Sequence, residues 1–119
     1  MRTAKKDGGA PQRLRKRLLG EIQELAMVAI FGTASSTYRR CGNTGCRCQK
    51  EGPKHGPHVY VSYRDRDVGK TTGYYVPRVA QAEMQRVIEA WRRLQECLRE
   101  LAELNREQVL TSARARWRS

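Results

Sequence analysis

The sequence predicts an α+β fold: an N-terminal helix, a small three-stranded antiparallel sheet with a zinc-binding loop, and a long C-terminal helix. Three observations predict it. Apolar residues recur every three to four positions on both sides of the middle of the chain, which is the period of a helix. Between those stretches the period falls to two, and valine, threonine and tyrosine accumulate, as in strands. Among the strands, Cys41, Cys46, Cys48, His55 and His58 crowd into one short stretch with no apolar run to explain them as packing.

The totals limit what such a chain can be. It has 119 residues, 39 % of them hydrophobic and 7 % aromatic. That suits one small domain with a modest core, which a metal staple would help to hold. The net charge is +12, from 24 basic and 12 acidic residues. A polyanionic partner is expected, nucleic acid before an anionic membrane, and DNA before RNA. No stretch of eighteen apolar residues could span a bilayer, and the basic start lacks a signal-peptide core. A cytoplasmic protein is expected, free to associate with the nucleoid. Thiols there stay reduced, which favours metal over disulfides.

In chain order, residues 1–12 read as a disordered basic arm, since Lys5, Lys6, Asp7, Gly8, Gly9 and Pro11 build neither a helix nor a strand face. Residues 13–112 read as one zinc-stabilised domain. From Arg13 to about Phe31, Leu14, Leu18, Ile22, Leu25 and Ala29 form a helical stripe, and Gly32 ends it. Arg13, Arg15, Lys16 and Arg17 crowd its first turns, against the helix dipole, as if an external anion stabilised them. Ala34 to Arg40 reads as a strand leading into Cys41. Val59, Val61 and Tyr63 alternate with Tyr60, Ser62 and Arg64 in a second strand. Asp65 to Gly69 makes a turn, and Lys70 to Val76 returns as a third strand.

Pro77 stops that strand and suits the start of a helix. From Arg78 to about Ser112 no glycine or proline interrupts the pattern. Met84, Val87, Trp91, Leu94, Leu98 and Leu101 form a heptad seam, continued by Asn105 and Gln108. A helix of that length spans roughly 50 Å, about twice the reach of the first helix. The seam must therefore pack on helix one, on a second copy, or on both; a hairpin with helix one would leave part of it bare for a second copy of the chain or a larger protein. Residues 113–119 read as a basic tail with Arg114, Arg116, Trp117 and Arg118.

The central cluster reads as a metal site. Zn²⁺ prefers thiolate and imidazole, and a closed structural site takes four such ligands in a tetrahedron. Cys41, Cys46, Cys48 and His55 supply four, with His58 the alternative to His55. Gly42, Gly45, Gly52 and Gly56 would let the backbone turn tightly around the ion.

These residues also resemble a known family. Tyr38-Arg39-Arg40-Cys41-Gly42, Cys46-Arg47-Cys48, His55-Gly56-Pro57, the strand through Tyr60 and Tyr63, and Tyr75-Val76-Pro77 before a long helix look like the short bacterial proteins of domain of unknown function 6788. The resemblance covers about residues 30–110. It implies a mobile-element context, since such proteins are often found with transposases or integrases, and no known activity. The family keeps the first histidine, which favours His55 over His58. It usually has an aromatic residue where this chain has His58.

Catalysis is not expected. Three cysteines and a histidine fill a zinc coordination sphere, whereas a catalytic site keeps a position for water. No histidine–glutamate deaminase pairing, phosphate-binding loop or dinucleotide fingerprint is present. The expected function is a small zinc-binding, nucleic-acid-binding accessory or regulatory protein of a mobile element. Arg39, Arg40, Arg47, Lys50, Lys54, Arg64, Arg66 and Lys70 would contact phosphates around the metal loop and hairpin, extended by Arg13, Arg15, Lys16 and Arg17. The alternative is a non-enzymatic adaptor that docks on a recombinase or larger assembly, or pairs with itself, through its long helix.

Overall fold

In the computed structural model, residues 2–118 are described, with side chains from Gly9 to Trp117. Helix α1 spans Arg2–Ala26, and strands β1 Thr33–Arg39, β2 His55–Arg64 and β3 Thr71–Val76 follow. Helix α2 spans Gln81–Arg118, entered through a short 3₁₀ turn at Arg78–Ala80. The α+β class and the element order match the expectation.

Two compact units form. One joins α1, up to Ala29, with α2 from Ala90 onward; the other is Ile30–Glu89.

The sheet unit has strand order β1-β2-β3, antiparallel throughout. Val59 faces Val76 and Val61 faces Tyr74 across the β2–β3 ladder, while Ala34 faces Val61 across β1–β2. Because side chains alternate along a strand, this register gathers one apolar face. Val59, Val61 and Val76 are buried there, with Ala34, Tyr74, Ala80, Met84 and Ile88 packed against them. Phe31 meets Tyr63 edge-on at 5.4 Å on the same side. The β2–β3 turn is closed by Asp65, whose carboxylate accepts the Asp67 and Val68 N–H groups.

The helical unit is an antiparallel hairpin. The Arg15 guanidinium donates to Asn105 and Gln108, and Arg93 grips Glu21 with two hydrogen bonds of 2.7 and 3.0 Å. Leu18, Leu94 and Cys97 are buried, with Leu14, Ile22, Leu25, Leu101 and Leu104 half-buried.

Several boundaries differ from the sequence reading. Helix α1 begins at Arg2, not Arg13, winding through Gly8, Gly9 and Pro11 against their preferences. The side chains of Lys5 and Lys6 lie outside the described residues. It also ends at Ala26, five residues early: Val28 and Ala29 both bond back to Leu25 O, and Ile30 bonds to Val87 O instead. Helix α2 absorbs the expected tail as far as Arg118.

The seam on α2 is the main correction. Met84, with Ile88, packs on the sheet rather than on a partner helix. Farther along, Cys97 is fully buried while Leu98 is 47 % exposed. The spacing of three and four persists, but from Leu94 on the stripe runs Leu94, Cys97, Leu101, Leu104, with Cys97 inward in place of Leu98. Helix α1 pairs with this stretch of α2, the intramolecular pairing that the sequence left open beside a second copy.

Candidate metal centre

The loop between β1 and β2 is built from short-range bonds. The Asn43 side chain accepts the Gly45 N–H at 3.0 Å, and its carbonyl accepts the Cys46 N–H at 3.1 Å. A 3₁₀ turn follows at Arg47–Gln49. The Gln49 side chain donates to the Cys41 carbonyl, tying the turn back to the end of β1. Two of the four loop glycines are required. A Cβ on Gly52 would lie 2.7 Å from Arg47 O, and Gly56 has φ +148° with Thr37 O 2.7 Å from where its Cβ would be. Gly42 meets nothing within 4 Å.

These constraints bring the four expected ligands together. One donor atom each from Cys41, Cys46, Cys48 and His55 lies within 4.8 Å of all the others. The Cys41 and Cys48 sulfurs are 3.5 Å apart, and Cys46 Sγ is 3.2 Å from His55 Nε2. A tetrahedral ion with bonds of about 2.3 Å to sulfur needs sulfur–sulfur edges of about 3.8 Å, so the donors stand at metal-binding separations. The Cys41 backbone N–H also points at Cys48 Sγ, 3.3 Å away, a bond that favours thiolate there. The residues fit a bound cation.

The thiols differ in environment. The Cys48 backbone N–H, then His55, hold the Cys46 thiol down from the ordinary 9.0 to about 6. Burial pushes the Cys48 thiol up. A positive ion among these sulfurs would supply what the burial of Cys48 opposes.

His58 is not part of the group. It sits beyond Gly56 and Pro57 and faces Thr37 across the ladder, with its ring 6.5 Å from that of Tyr75.

The expected basic contacts distribute unevenly. Arg40, Arg47, Lys50 and Lys54 are exposed in the metal loop, with Glu51 the acid among them. Arg64, Arg66 and Lys70 are exposed at the β2–β3 turn, where Asp65 and Asp67 offset two of the three charges. In an antiparallel sheet this turn and the metal loop lie at opposite ends of β2, so they form two basic ends and not one patch. Ten strand residues separate them by roughly 33 Å. Arg39 lies over the Tyr60 ring at 5.5 Å. On α1, Arg13, Lys16 and Arg17 are exposed, but Arg15 is half-buried and bonded to α2. Sequence reasoning missed Arg78, Tyr60 and Tyr75 as companions of the metal loop; only strand register brings Tyr75 and Arg78 to it.

No helix among the described residues is long and apolar enough to cross a membrane. No curated protein and no solved structure matches the chain. The sequence model of a family described as a domain of unknown function (DUF6788) matches residues 10–86. That match starts earlier than the motif resemblance and leaves out most of α2. It takes in α1 from Ala10, the metal loop and the whole sheet, and the chain accordingly belongs to the DUF6788 family.

Proposed function

We propose that this chain is a zinc-stapled nucleic-acid-binding protein with no catalytic activity of its own. The observation that carries the reading is the setting of the Cys/His cluster: four soft donors at tetrahedral spacing, in a loop whose exposed charges are almost all positive. Thiolate and imidazole suit zinc. Four protein donors leave no position for a reacting water, which supports a structural role. The sheet core is small, and metal binding contributes folding free energy that such a core lacks.

The two basic ends of the sheet would bind phosphates, with Arg13, Lys16 and Arg17 adding to them. If six to ten phosphates are neutralised, affinity for DNA falls about 10³–10⁵-fold between 50 and 200 mM salt. Fluorescence anisotropy with a labelled oligonucleotide measures this, and salt-independent binding would refute the electrostatic mechanism. Metal analysis of freshly purified protein tests the ion: one zinc per chain is expected. The mobile-element accessory role draws on the motif resemblance.

A second reading, an adaptor docking through α2, draws on the apolar residues that α1 leaves uncovered. Leu98, Val109, Leu110 and Trp117 are all exposed. Light scattering that shows a concentration-independent monomer would remove self-association from this reading.

A further inference from the structure

The sheet has a second face. Val59 and Val61 point into the core, so His58 and Tyr60 point away from it. Tyr75 is directly opposite Tyr60 in the β2–β3 ladder, and Thr37 is opposite His58 in β1–β2. The rings form a connected group: Tyr60 to Tyr75 at 5.6 Å, His58 to Tyr75 at 6.5 Å, and the Arg39 guanidinium 5.5 Å from the Tyr60 centroid. Tyr75 is 49 % exposed.

The outward face of a small antiparallel sheet is ordinarily polar, and tyrosine alone is unremarkable in a strand. Two features lift this face above that background. First, four of the five tyrosines are sorted. Tyr63 and Tyr74 turn towards Phe31 and Met84 on the core side, whereas Tyr60 and Tyr75 pair on the open side. Second, the face runs on into a groove of about 550 Å³ beside the metal loop, lined by His58, Tyr75, Arg47, Lys54 and Arg78 among others, and by no acidic residue. The aromatic group thus lies midway along β2, between the cations of the metal loop and those of the β2–β3 turn.

We propose that this face binds a single strand of nucleic acid laid along β2, with unpaired bases stacked on Tyr60, Tyr75 and His58 and phosphates held by Arg39, Arg47, Lys54 and Arg78. This rests on the nucleic-acid reading above and narrows it to unpaired strands. The chemistry follows from the parts. Every base has a π face, so aromatic rings bind bases without regard to sequence, and cations tracking the backbone supply the rest. Sheet faces bearing aromatic rings are a recurrent platform for splayed bases. A duplex keeps its base faces stacked inside and offers nothing to these rings.

The test uses the full zinc-loaded chain, with fluorescein-labelled 20-mers of thymidylate and uridylate and a 20-base-pair duplex as probes at fixed salt. Both single strands are expected to bind tighter than the duplex. Tyr60→Leu and Tyr75→Leu should each weaken single-strand binding by about 5- to 150-fold. Duplex binding and the salt slope should stay within about twofold, and Tyr60→Phe and Tyr75→Phe should retain wild-type affinity. Because a leucine variant could lose its fold, the wild-type protein is also photocrosslinked to 4-thiothymidine oligonucleotide and mapped by mass spectrometry. Adducts at Tyr60, Tyr75 or His58 support the proposal. Adducts confined to α1, or leucine variants that keep zinc and bind single strands as wild type does, overturn it while leaving nucleic-acid binding in place. A wild-type chain that binds neither strand nor duplex overturns the broader reading and this one with it.

Discussion

Cys41, Cys46, Cys48 and His55 converge because the loop backbone forces them to, and each residue there has a separable part. Cys46→Ser and His55→Ala should each lower bound zinc from one per chain to a small fraction, while His58→Ala should leave it unchanged, as read by atomic absorption. Zinc loss in His58→Ala would mean that the wrong imidazole has been assigned. Among the glycines, Gly52→Ala should impair metal binding, because its Cβ meets the Arg47 carbonyl, and Gly42→Ala should not. In the helical unit, hydrogen bonds from Arg93 hold the Glu21 carboxyl below its ordinary value. A lowered carboxyl pKa means that the unfolded chain takes up the proton first as acid is added. The Glu21 contribution to stability is therefore full above about pH 5 and fades as pH falls through the native pKa. Glu21→Gln should flatten the acid limb of a plot of Tm against pH; an unchanged limb would show the pair to be inert.

At the level of elements, helix α2 serves two masters. Its first turns lay Met84 and Ile88 on the sheet, and from Ala90 it pairs with α1. The register of that pairing is set by Leu18, Leu94 and Cys97 and by the Glu21–Arg93 and Arg15–Asn105 bonds. Leu18→Ala should cost about 2–5 kcal/mol. Leu98→Ala, on the strict heptad but 47 % exposed, should cost within about 0.5 kcal/mol. Urea titrations of the two variants decide whether the stripe runs through Cys97 or through Leu98, and equal losses would put Leu98 back in it. The two helices, the three strands and their order were legible in the sequence, because periods of 3.6 and 2 are local properties of the chain. The end of α1 was not. Its apolar pattern runs on through Ile30 and Phe31, but Ile30 bonds to Val87 and Phe31 packs on Tyr63.

For the whole molecule, the two units should respond differently to loss of metal. The sheet unit has a small buried core, Val59, Val61 and Val76, to whose folding a metal ion in the loop would contribute. The helical unit contains none of the four ligands. Chelation should therefore speed amide exchange throughout β1–β3 while the α1–α2 pairing keeps its protection, as hydrogen-exchange mass spectrometry would show. Uniform loss of protection in both units would mean that the ion holds more than the sheet.

The sequence by itself determined which residues make up the Cys/His cluster, the class of fold and the sign of the surface. Ligand type, spacing and charge are written in the order of residues and need no partner to be read. The tertiary structure alone decided which arginines are exposed, which tyrosines face outward, and that the basic residues of the loop and of the hairpin stand at opposite ends of a strand. Those outcomes depend on strand register and on which helix covers which stripe, and both are set by contacts between residues far apart in the chain.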